Sequence, residues 1–81
     1  SPYRSIKLTQ KGRKFAKEVV AKHRLIESFL VEVMEFKPDQ VHEIAEEIEH
    51  INSPIFFSKV RKMLKQDTID PHGSNIPKTE F

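Results

Sequence analysis

Val41-His42-Glu43-Ile44-Ala45-Glu46-Glu47-Ile48-Glu49-His50 packs two histidines, four glutamates and four apolar residues into ten positions without a glycine or proline. Read as a helix, each residue advances about 100°. With His42 as origin, Glu49 falls at about −20°, Glu46 at about +40° and His50 at about +80°. Four groups able to hold a metal therefore share one arc. Val41, Ile44, Ala45, Ile48 and Ile51 occupy the adjoining arc, which suits a core. Carboxylates and imidazoles along the edge of a buried face call for a cation as counter-charge.

Working outward, Phe36-Lys37-Pro38-Asp39 breaks the chain before this stretch, and Pro38 at a first helical position restarts it, so the helix is expected to reach about Ile51. Upstream, a long helix is expected from Gln10 to about Glu35, with Thr9 as N-cap. Phe15, Ala16, Val19, Ile26, Leu30, Val33 and Met34 form its main apolar stripe, with His23 at the centre and Glu27 four residues on. A narrower stripe of Leu25, Phe29 and Phe36 gives it a second apolar face, which points to a twin subunit.

Downstream, Ser53 and Pro54 are the N-cap and first residue of a third helix, carrying Ile55, Phe56, Phe57, Val60, Met63 and Leu64 to about Gln66. Asp70-Pro71-His72-Gly73 and the residues after it have turn punctuation, and His72 reads as a turn or surface residue. At the other end, Ile6-Lys7-Leu8 alternates like a stub of strand whose partner lies upstream of residue 1. The opening Ser-Pro-Tyr, without Met, is that expected of a piece of a longer protein. The fold class is all-α: three helices, a short N-terminal strand stub and an irregular C-terminal tail.

Eighty-one residues make one small domain, which gains burial by oligomerising. Cysteine is absent, which removes disulfides and thiolate zinc sites from consideration. The net charge of +2 gives the whole chain no strong pull toward nucleic acid. Its distribution is uneven: the first 24 residues hold eight Lys/Arg and one acid, whereas residues 39–50 hold five acids and no Lys or Arg. No apolar run is long enough to span a bilayer, and a cytoplasmic location is expected.

Glu46, Glu49 and His50 form one candidate ligand set, and His23 with Glu27 a second, joined by His42. Hard oxygens with imidazole and no sulfur suit Mn²⁺ or Fe²⁺. Each set alone has a plainer explanation, a solvated acidic face for the first and a hydrogen-bonded core histidine for the second. Their joint occurrence on successive helices favours metal. Enzyme motifs fit poorly: His42-Glu43-x-x-Glu46 lacks the second histidine of a zinc-protease helix, and Glu47-x-x-His50 occurs once where a di-iron bundle needs it twice.

Leu8-Thr9-Gln10-Lys11-Gly12-Arg13, Lys22-His23-Arg24-Leu25-Ile26-Glu27-Ser28-Phe29-Leu30, Val41-His42-Glu43 through Glu49-His50, and Asp70-Pro71-His72-Gly73 to Ile76-Pro77 together resemble the diphtheria-toxin-repressor family of metal-dependent transcription regulators, over nearly the whole chain. The resemblance implies that residues 10–81 are the metal-binding and dimerisation domain. Residues 1–9 would be the end of the wing of a preceding winged helix-turn-helix. It implies an ancillary metal site at His23, Glu27 and His42 and a primary site at Glu46, Glu49 and His50. Glu46 stands where iron-responsive members have Cys, as in the manganese branch. Mn²⁺ is the expected ion, then Fe²⁺, with Zn²⁺, Co²⁺ or Ni²⁺ as surrogates. The implied assembly is a homodimer that meets operator DNA through the preceding domain. A helical dimerisation module with structural histidines remains the alternative.

Overall fold

The computed structural model describes residues 10–79 and 81; the expected strand stub and the Thr9 cap lie outside them. Helix α1 runs Gln10–Glu32, α2 His42–Ile48 and α3 Pro54–Met63, with a single 3-10 turn at Pro38–Gln40 between α1 and α2. The all-α, three-helix expectation is met. The ends are shorter than the spacing predicted, each for a local reason.

Helix α1 stops because Glu35 turns left-handed (φ 61°). The amide of Phe36 then reaches back to the Leu30 carbonyl at 3.0 Å, and Phe36 folds against the core. Pro38 opens a 3-10 turn rather than an α-helix, and the Gln40 side chain accepts from the Lys37 amide at 3.0 Å. Helix α2 therefore starts only at His42. Its last turn tightens: the His50 amide reaches the Glu47 carbonyl (3.4 Å) and the Ile51 amide the Ile48 carbonyl (2.9 Å). The Glu49 amide keeps the α-helical bond to the Ala45 carbonyl (2.9 Å), whereas three-residue closures rotate the chain by about 120° per residue, so His50 leaves the expected arc and Ile51 is exposed. Helix α3 starts as its sequence implies, with the Ser53 hydroxyl accepting from the Phe56 amide and Pro54 in the first turn.

The core is made by Ala21, Leu25, Ile26 and Leu30 of α1, Val41 and Ala45 of α2, Phe57 and Val60 of α3, and Ile76 and Phe81 of the tail. Helix α1 has 23 residues and is about 35 Å long, whereas α2 and α3 have seven and ten. Only the middle of α1 is enclosed, and there Leu25, Ile26, Glu27 and Ser28 are buried in succession. The main stripe fails at its ends for that reason: Phe15 is 63% and Met34 55% exposed. The second stripe is not a free face either, since Leu25 is fully buried and Phe29 and Phe36 pack on the core. Apolar surface free for a partner is instead found at the two ends of α1 and on Ile55 and Met63 of α3.

The tail is irregular but folded back. A bridge between Ile69 and Asn75 closes a loop, with bonds from the Asp70 amide to the Ser74 carbonyl (2.8 Å) and from the Gly73 amide to the Asp70 carbonyl (3.0 Å). Gly73 takes φ +86°, which glycine adopts without a steric penalty. None of the described helices is long and apolar enough to cross a membrane.

Candidate metal centre

Glu27 lies on the enclosed stretch of α1 with its side chain only 4% exposed. Three imidazoles from three parts of the fold face one of its oxygens. Its Oε2 is 3.4 Å from Nε2 of His23, 3.7 Å from Nδ1 of His42 and 3.7 Å from Nδ1 of His72. The rings of His23 and His42 meet edge to face, 4.9 Å between centroids.

The other nitrogen of each ring has a different partner. His23 Nδ1 is 2.7 Å from Glu49 Oε1, His42 Nε2 is 2.9 Å from Glu46 Oε1, and His72 Nε2 is 3.0 Å from the Pro38 carbonyl oxygen. Carboxylates and carbonyls only accept, so the short outer contacts of His23 and His72 suit the tautomer with the proton on the outer nitrogen. A neutral ring then presents a bare lone pair on its inner nitrogen. The three inner nitrogens stand 3.4–3.7 Å from one carboxylate oxygen, longer than an N–H···O bond of about 3 Å, a spacing that suits an ion shared among them. Ligating histidines in metal sites show the same pattern, the outer N–H held by a carboxylate or backbone carbonyl.

Two groups of potential ligand atoms result, His23–Glu27–His42 and Glu27–Asp70–His72, with the atoms of each within 4.8 Å of one another. Asp70 is buried, and one carboxylate oxygen accepts from the amides of His72 (2.9 Å) and Ser74 (2.8 Å). That Asx turn fixes where His72 points.

Of the six residues expected from sequence, the structure brings His23, Glu27 and His42 together, joins Glu49 to His23 through a hydrogen bond and sets Glu46 beside His42 at 2.9 Å. It does not gather Glu46, Glu49 and His50 around a common point among the described residues. The three instead line a cavity of about 510 Å³, with His23, His42, Arg24, Val19 and Val20. The tightened end of α2 separates them. Sequence reasoning missed Asp70 and His72, whose only signal was an Asp followed two residues later by one of four histidines.

Carboxylate, imidazole and no sulfur converging on one buried centre define a metal-binding α-helical domain. Residues 9–78 match the family described as "Iron dependent repressor, metal binding and dimerisation domain", and the chain belongs to that family. It is 42% identical over 71 residues to the Chlamydia trachomatis protein named "Probable metal transport system membrane protein", covering 88% of this chain and 16% of that one. It is 39% identical over 74 residues to the iron-dependent repressor IdeR of Mycobacterium tuberculosis, covering 91% of this chain and 32% of that protein. A solved manganese-dependent transcriptional repressor in complex with manganese superposes with a TM-score of 0.85 at 38% identity, over 91% of this chain and 35% of that one. The chain thus spans 35% or less of each of these relatives.

Proposed function

We propose that this domain is the metal-sensing and dimerising part of a Mn²⁺/Fe²⁺-dependent transcriptional repressor of metal-uptake genes. The observation that carries the reading is the convergence of three imidazole nitrogens on Glu27 Oε2, each ring having a polar partner at its outer nitrogen. A buried carboxylate facing lone pairs is stabilised by a cation. The oxygen- and imidazole-rich, sulfur-free set favours Mn²⁺ or Fe²⁺. His23, Glu27, His42, Asp70 and His72 would hold one or two ions. Glu46, Glu49 and His50, lining the adjoining cavity, would form a further set with groups from outside this domain. The exposed apolar ends of α1 and the outer side of α3 support a homodimer. Metal would act by linkage, favouring the relative placement of DNA-binding units that fits an operator.

The similarity to a protein named for metal transport favours a second reading, in which the same domain senses metal as part of a transporter. The parent protein discriminates these readings. Operator affinity measured by fluorescence anisotropy is expected to rise with Mn²⁺, and to lose that response in Glu27→Gln and in the Glu49→Ala/His50→Ala variant. Metal-dependent DNA binding that persists in these variants would assign the histidines a structural role. A parent that binds Mn²⁺ through this domain but no DNA would support the transporter reading.

A further inference from the structure

We propose that Arg24 is a positioning residue of the metal site: it ligates nothing itself, but clamps the loop of residues 68–76 so that Asp70 and His72 reach Glu27. The proposal rests on reading Glu27, Asp70 and His72 as ligands.

Arg24 follows His23 on α1 and lines the same cavity. Its guanidinium spans the two arms of the loop. Nη1 donates to the backbone carbonyl of Asn75 on the returning arm, and Nε faces Asp70 Oδ2 at 3.9 Å on the outgoing arm. These two positions flank the turn that carries His72, and Asn75 is bridged to Ile69. Within the loop, Asp70 organises the turn through the amides of His72 and Ser74. The loop is therefore held together by its own bonds. Its attachment near the site depends on Arg24, on the His72–Pro38 bond and on the Ile76 side chain in the core.

The chemistry of the contact explains the residue type. A guanidinium is a planar fork that can bond a carbonyl and face a carboxylate at once, whereas an ammonium is a point charge. A fixed positive charge beside Asp70 also keeps that carboxylate oriented before metal arrives. Residues supporting ligands from outside in this way contribute about 10- to 100-fold to metal affinity.

The test uses the 81-residue chain, Mn²⁺ titration calorimetry and backbone amide exchange. Arg24→Gln is expected to weaken Mn²⁺ binding by about 10-fold and to speed exchange of the Ser74 and Ile76 amides, leaving that of the α1 amides unchanged. His72→Ala should weaken binding similarly, and the double variant should lose less than the sum of the two single losses, because Arg24 acts in part through His72. Arg24→Lys should fall between wild type and Arg24→Gln, and it carries the test should Arg24→Gln fail to fold. If His72→Ala weakens binding while Arg24→Gln and Arg24→Lys bind as wild type, or if the two losses add fully, the positioning role is overturned. If His72→Ala and Asp70→Ala both bind as wild type, the ligand assignment falls and the proposal with it.

Discussion

Nδ1 of His23 on α1 lies 2.7 Å from Oε1 of Glu49 at the end of α2, and that bond turns the imidazole's other nitrogen toward Glu27. A carboxylate one helix away thus sets the aim of a candidate ligand. The same device recurs at His42 with Glu46 and at His72 with Pro38. The centre is preorganised by its surroundings, and its defect without metal is electrostatic.

Glu27→Gln removes that defect while keeping shape. The metal-free variant is expected to be as stable as wild type or up to about 1 kcal/mol more stable, since a neutral amide costs less to bury than a carboxylate. Wild type should gain about 2.7 kcal/mol at a free Mn²⁺ concentration 100 times its Kd, and the variant should gain little. Differential scanning calorimetry with and without MnCl₂ checks both halves.

Metal affinity should fall on acidification. The ligands bind as neutral imidazole and ionised carboxylate, so protons compete with the ion and binding releases them. Mn²⁺ titrations in two buffers of different ionisation enthalpy would reveal the released protons directly; identical heats would contradict this view of the donors.

Glu35→Gly should stabilise the chain by about 0.5–1 kcal/mol. A left-handed backbone costs a residue with a Cβ about 1–2 kcal/mol, part of which glycine returns as extra freedom in the unfolded chain. Urea unfolding should show a higher midpoint with unchanged slope, and Mn²⁺ affinity should not move because Glu35 lies outside the site.

Phe57→Ala should cost about 3–5 kcal/mol. The ring is fully buried, packs against Phe81 with centroids 5.7 Å apart, and lies under the Lys22 ammonium. A domain this small has a total stability of only about 5–15 kcal/mol, so the variant should be largely unfolded at 37 °C by circular dichroism. Full retention of helicity there would mean that the tail and α2 hold α1 without α3.

Much of the fold was legible. Ser53-Pro54 marked the start of α3, Pro38 marked the break, and helical spacing found Ile26, Leu30, Val41 and Ala45 as core. Periodicity misjudged how far burial extends along α1, because the stripe does not reveal that its neighbours are seven and ten residues long. The partner face assigned to Leu25, Phe29 and Phe36 failed for the same reason.

The sequence by itself determined the chemistry: histidine and glutamate at helical spacing, no sulfur, and a buried acid on α1. These follow from residue type and local geometry. Tertiary structure decided which groups meet. Packing of α2 against α1 set Glu49 on His23, and the tightened turn rotated His50 by a few tens of degrees from its helical position, neither of which helical spacing can anticipate. The loop closed by Ile69 and Asn75 brought Asp70 and His72 to Glu27 across more than forty residues of chain, because a buried carboxylate and a ring of imidazoles must find their partners in space.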